Sequence, residues 1–463
     1  MAGEEDQNAE SQVPLKPPEK NEKNNTCTND FEDFSDLDTG WAWVILASSF
    51  GTFCLIGSMM YAVGIIHSSL LGRYGESVSV TAWAGAIHTS SMSIGAPLSS
   101  AVIDRYSCRT AIVLSGLFFI LGYMCTAFAP TIWWAIFTCG VVAGIGAALG
   151  YTANLLIVSF YFRKRRDLAL GISNAGVGAG LFIIAPLMQL ARDYYGPTGF
   201  FIILSGMAAN IVTFGMVCFP SKLELHTQKE RQFECKIRNE QLGKETIFSS
   251  FRPYVKVLLN KAVMLLCVTM FTYGFGTYLI YLHLPNFIVS KDFSAIQAAF
   301  IVSLSGIVSV IGRVLTGIVA SFNKIDVVLL YSGSMFIVAA SSMIYPFVTS
   351  HFYGHVIYAV MLGMFFGSCY VLITSVTLEF LDLNYVSAAI GLQFFFAGIG
   401  AIAGPVLAGV LIDALGTYEE SYIFAAACTL LASLSSGLTS CCKRRGSPYK
   451  EVNFEMVVPE KAV

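Results

Sequence analysis

"APLMQLARDYYGPTGF" (Ala185–Phe200) and "GPVLAGVLIDALGTYEESYIF" (Gly404–Phe424) read as two copies of one passage. In each, an apolar helical run ends at an aspartate followed three residues later by a glycine, and Asp193 and Gly196 lie 220 residues before Asp413 and Gly416. A second echo pairs "SSAVIDRYSCRT" (Ser99–Thr110) with "TGIVASFNKID" (Thr316–Asp326) at nearly the same offset. The chain of 463 residues therefore divides into two similar halves.

What each half contains follows from composition. Hydrophobic residues make up 55% of the chain and charged residues only 13%, whereas soluble domains carry about 25% charged residues. Apolar stretches of about 20 residues, each enough to cross ~30 Å of hydrocarbon at ~1.5 Å per residue, recur from Trp41 onward. Twelve are expected, at 41–65, 81–103, 111–129, 132–158, 168–191, 199–219, 262–290, 295–320, 325–348, 352–377, 386–412 and 421–440. Six belong to a first half, residues 41–220, and six to a second, residues 262–440. Residues 1–40 are hydrophilic and acid-rich, without a signal peptide's apolar core, and read as a disordered tail. The polar stretch 221–261 joins the halves as a central loop, and residues 441–463 form a second tail.

Basic residues orient this arrangement, because cytoplasmic loops retain Lys and Arg. With the N-terminus inside, 24 of the 28 basic residues fall in cytoplasmic segments, and Arg73, Arg192 and Lys291 fall in outer loops. Both termini are thus expected in the cytoplasm. The one basic residue left over is Arg313, in "VSVIGRVLTG" (Val308–Gly317). A guanidinium within a membrane helix costs ~2.5 to 3.5 kcal/mol on insertion scales, and such groups usually face an interior cavity. There a fixed cation binds an anion such as a carboxylate. The alternative is partial snorkelling, since Ser321, eight residues on, lies ~12 Å away along the helix.

The motifs agree with two parallel six-helix halves around a site near the middle of the bilayer, which is the plan of the major facilitator superfamily. Asp104, Arg105 and Arg109 in "SSAVIDRYSCRT" resemble that superfamily's loop between spans two and three, where acidic and basic residues latch one conformation, although Ser100 and Ser107 replace the usual glycines. Glycine pairs four residues apart, such as Gly176 with Gly180 and Gly400 with Gly404, let neighbouring helices approach closely.

Two longer passages resemble the monocarboxylate transporter family, number 16 of the solute carriers. One is "DTGWAWV" with Asp38, Gly40, Trp41 and Trp43, which departs from the family pattern at Thr39 and Ala42; the other is "YFRKRRDLALGISNAGVGAG" with Tyr161, Phe162, Arg165, Arg166, Gly171 and Gly176. The resemblance implies that Arg313 binds a substrate carboxylate and that His283 of span seven faces the substrate. It also implies a proton relay of an aspartate four residues before the arginine and a lysine in the first span. This chain has Ser309 and Tyr61 there, and neither titrates near neutral pH. Facilitated movement of a small monocarboxylate or related anion or zwitterion across the plasma membrane is therefore expected, rather than proton-linked lactate or pyruvate symport. Other polar candidates for the path are His88, Asn154 and Asn174.

No nucleotide loop, metal-ligand spacing or assembled nucleophile is present, so neither an enzyme nor a cofactor, metal or nucleic-acid site is expected. A metabolite sensor on a transporter fold is the alternative from another class. The family resemblance further raises a single-span accessory glycoprotein as a partner, besides the bilayer itself.

Overall fold

The computed structural model describes residues 36–61, 63–242, 252–322, 324–415 and 418–442. They are helical, with no strand among them. The elements are α1 (Trp41–Tyr61), α2 (Val63–Tyr74), α3 (Val78–Ile94), α4 (Ala96–Arg105), α5 (Cys108–Ala127) and α6 (Ile132–Ala135), which continues through a π-helical turn (Ile136–Val142) into α7 (Ala143–Tyr161). Next come α8 (Arg166–Val217), α9 (Lys222–Leu242), α10 (Arg252–Leu258), α11 (Lys261–Ser290) and α12 (Ala295–Ala320). The chain then runs through α13 (Val327–Ile344), α14 (Phe352–Phe366), α15 (Ser368–Leu378), α16 (Leu383–Leu415) and α17 (Glu419–Leu438).

Among these residues, eleven helical stretches are long and apolar enough to cross a membrane. α8 supplies two of them, Arg166–Ile184 and Leu187–Val217, and kinks within the second at Gly196. Its φ of 67° is left-handed, which explains a glycine where the repeated passages align. The expected second span is the twelfth; α3 and α4 meet at Gly95 and together run its length. Side-chain caps set the helix starts: Ser107 accepts from the Thr110 N–H, Asn260 from Ala262, and Ser294 forms a capping box with Gln297. Arg73, one of the three basic residues expected in outer loops, donates to the carbonyls of Thr126, Ala127 and Ala129 and so caps the C-terminus of α5.

The repeat reappears in the packing. Gly176 and Gly180 on α8 press against the Phe50 and Cys54 carbonyls of α1 so closely that a side-chain carbon would collide with them. Gly400 and Gly404 on α16 do the same to Phe271 and Phe275 of α11. Both pairs are four apart, and so are both sets of carbonyls. The halves meet along two seams: α8 packs on α12, with Gly171 against Gly317, and α16 packs on α3 and α4, with Gly391 against Ser100.

The central connection is not a plain loop. α9 and α10 lie across the end of the molecule that carries Arg105, Arg109 and Arg163 to Arg166, called the basic end below, and both touch α16. Glu224 of α9 accepts the Cys108 N–H at 2.7 Å, fixing that helix to the start of α5. Burial pushes its carboxyl above the usual carboxylate range, against the opposing pull of that N–H and of Arg231.

Candidate functional site

Arg313 is buried, with 3% of its surface exposed. Its helix, α12, is held between α8 and α14–α15. Room for the guanidinium stem comes from Gly367, where α14 gives way to α15; any side-chain carbon there would run into Arg313. Nη1 donates to the backbone carbonyl of Asn174 at 3.2 Å. Nε is buried with no hydrogen-bond partner. Among the described residues no carboxylate lies within ion-pair distance of Arg313.

Other unmatched groups lie at a similar depth. The amide NH2 of Asn154 donates to its own helix at Gly150 and that of Asn174 to Leu170, while Gln393 donates to Thr377 across the α15–α16 contact. Their amide oxygens, with the Thr374 hydroxyl, are buried without partners. Counted along their helices at ~1.5 Å per residue, Asn154, Asn174, Arg313, Thr374 and Gln393 stand about 6–15 Å from the helix ends at the basic end. A layer of rings covers them on the far side: Phe53 meets Tyr151 at 5.1 Å, Tyr151 meets Phe394 at 5.5 Å, and Phe394 stacks on Tyr370 at 6.3 Å. α7 and α8 of one half and α12, α15 and α16 of the other thus contribute to one polar layer.

The sequence-derived candidates separate in space. Ser309, buried, sits one turn from Arg313 on α12, and Asn174 touches it directly. The side chain of Tyr61 lies outside the described residues. Tyr281 packs on Phe366 beside Gly367, but His283 is two residues further, ~200° around the helix, and faces the Tyr418 ring at 6.1 Å. The structure therefore does not bring His283 beside Arg313. His88 bonds to the Cys139 carbonyl at 3.0 Å, inside the π-helical turn. Gln393 and Thr374 were missed by sequence reasoning, although a lone glutamine in "AAIGLQFFFAGIG" is a visible interruption of an apolar run.

At the basic end Asp104 pairs with Arg231 of α9 and accepts from Ser387 of α16. Arg231 also donates to the Leu383 carbonyl at 2.9 Å. Ser100 donates to the Ser387 carbonyl at 2.7 Å, and Tyr254 of α10 to that of Pro97 at 2.6 Å. Arg105 lies over the Tyr106 ring and Arg109 over Phe219 instead. Along the other seam, Asp167 accepts from Ser375. Both seams thus carry side-chain hydrogen bonds at this end.

The two family passages form one unit there. Asp38, with a φ of 57°, presents its carboxylate to the N–H groups of Arg163, Lys164 and Arg165 at 2.9 to 3.1 Å, and its own N–H donates to the Tyr161 carbonyl. Gly40 follows, also at positive φ. Trp43 packs edge-on against Phe162 and under Arg165; Trp41 donates to the Val217 carbonyl at 3.3 Å. Arg166 turns back to the Phe162 carbonyl, and Tyr161 donates to that of Phe219. Both indoles keep exposed surface, as residues at a membrane interface do.

A multi-pass bundle of two related halves around a buried polar layer is the architecture of a secondary transporter. Residues 48–384 match the family model described as Major Facilitator Superfamily, and the chain belongs to that superfamily. It is similar to monocarboxylate transporter 12 of Homo sapiens, 27% identical over 449 residues that cover 93% of this chain and 87% of that one. Monocarboxylate transporter 9 of Pongo abelii is 26% identical over 472 residues, covering 85% and 92%. Among solved structures, the fucose–proton symporter FucP of E. coli superimposes with a TM-score of 0.66 at 13% identity, covering 86% of this chain and 99% of that one. The proton–xylose symporter XylE gives 0.65 at 14%, covering 85% and 94%. At such identities these two establish the fold alone. The chain is not an enzyme, and its relatives are transporters.

Proposed function

We propose that the protein moves a small monocarboxylate, or a related organic anion or zwitterion, across the plasma membrane by facilitated diffusion, with Arg313 binding the carboxylate. The observation that carries this reading is a buried guanidinium with a free Nε and no carboxylate partner among the described residues. Leaving a cation so placed is costly unless an anion joins it. The names of the related monocarboxylate transporters point to the same kind of anion.

In this reading the two halves rock about the polar layer. Contacts of Asp104 with Arg231 and of Asp167 with Ser375 close the basic end, which faces the cytoplasm with both termini, and their release opens it. Substrate then exchanges at Arg313 from alternate sides. Ser309 supplies no titratable group one turn from the guanidinium, so a proton need not accompany the anion. An accessory single-span glycoprotein would act in delivery to the surface.

The test is uptake of labelled lactate, pyruvate, ketone bodies, aromatic amino acids, creatine and carnitine into oocytes expressing the chain, with and without an inward proton gradient. Saturable uptake and countertransport of at least one carboxylate, insensitive to the gradient, is expected. Strong acid stimulation would replace facilitation by symport, and binding without uptake would replace the transporter by a sensor.

A further inference from the structure

The polar layer has a chemical bias. At Asn154 and Asn174 the partner of the amide is a backbone carbonyl, which accepts only, so the group donating to it is the NH2 and the group left over is the oxygen. Gln393 is fixed the same way: the Thr377 hydroxyl donates to the Ile373 carbonyl and therefore accepts from the Gln393 NH2. Three amide oxygens on three helices are thus left as acceptors without donors, each on a fully buried side chain. Asn154 follows Tyr151 by one helical turn, and Gln393 precedes Phe394 by one residue. The rings of Tyr151 and Phe394 touch, so the helices that carry these two amides, α7 and α16, meet there across the two halves. Asn174 is on Arg313 itself.

From this we infer that Asn154 and Gln393 form a specificity subsite for a hydrogen-bond donor, an O–H or N–H, on the substrate. The inference rests on the proposed carboxylate site at Arg313 and narrows it: the substrate is a carboxylate that also carries a hydroxyl or ammonium group. An acid that presents only methyl groups leaves buried carbonyl oxygens unmet, which costs far more than an added methylene gains. Neutral oxygens beside aromatic rings accept an ammonium as well as a hydroxyl, so the shared chemistry is the donor.

The experiment compares protein-dependent uptake of acids that differ only by a donor replaced with methyl: lactate with isobutyrate, 3-hydroxybutyrate with isovalerate, and 4-aminobutyrate with valerate. The first two pairs test a hydroxyl and the third an ammonium. Wild type is expected to favour the donor-bearing acid in at least one pair by about tenfold or more. In Gln393→Leu, measured per molecule at the cell surface, that ratio is expected to fall toward one; Asn154→Leu, on another helix of the other half, provides the second reading. Equal uptake within every pair overturns the inference while leaving the carboxylate site standing, as does either variant keeping the wild-type ratio. No protein-dependent uptake of any of these acids overturns this subsite; failure of the wider carboxylate panel as well overturns the carboxylate reading with it.

Discussion

Arg231 and Arg313 are both largely buried arginines at contacts between the two halves, and they are used in opposite ways. Arg231, on the central connection, meets the Asp104 carboxylate and the Leu383 carbonyl. Arg313, on a membrane helix, meets one backbone carbonyl and no carboxylate among the described residues. A cation matched within the protein holds two elements together and has little left for a ligand. A cation left unmatched is paired best by something that arrives and departs. The same contrast separates Ser387 and Ser100, bonded across the closed end, from the amide oxygens of Asn154 and Gln393.

Removing the unmatched cation is the largest disruption expected. In Arg313→Ala a bound carboxylate loses its only charged partner, a change of roughly 2–5 kcal/mol in comparable buried pairs, so carboxylate uptake per surface molecule should fall by about 100-fold in labelled-uptake assays. Unchanged uptake would remove Arg313 from the site. A smaller effect should come from giving Arg313 an internal partner. A carboxylate in Ser309→Asp, one turn away, competes with the substrate when ionised and releases the guanidinium when protonated. Uptake should drop by about tenfold at neutral pH and recover as the pH is lowered, reversing the proton insensitivity expected of the wild type. A pH profile that stays flat in Ser309→Asp would mean that position 309 does not face the guanidinium.

The matched arginine should matter less for binding and more for the balance of states. Arg231→Ala removes an ion pair and a carbonyl contact worth about 1–3 kcal/mol, which loosens the closed basic end. Labelling of a cysteine introduced at Ser387 should accelerate several-fold, with carboxylate affinity shifting by less than about threefold. Slower or unaltered labelling would show that the α9 contact is not a latch.

Much of this arrangement is legible in the chain. The 220-residue echo and the apolar spans convey two halves, and the glycine pairs point to tight helix contacts, since only a missing side chain permits backbones to meet as Gly180 meets Cys54. Arg313 stands out as the basic residue that no loop claims. Less could be read of its surroundings. Span seven carries Tyr281 and His283 two residues apart, and nothing in the spacing says which one turns toward Phe366 and which toward Tyr418. Nor does the sequence distinguish Arg231 from the other basic residues of a polar connection; its partner is 127 residues away. Asp38 reads as a signature residue, but its task of capping the turn at Arg163–Arg165 exists only once α7 and α8 are in place.

The sequence by itself determined the membrane class, the two-fold repeat, the family and the presence of a buried cation, because hydropathy, small-residue spacing and charge are local properties that survive in one dimension. Only the tertiary structure decided which cation is paired and which polar oxygens are left without donors. Those are properties of pairs drawn from different helices, and a hydrogen bond over 3 Å depends on how helices far apart in the chain are packed.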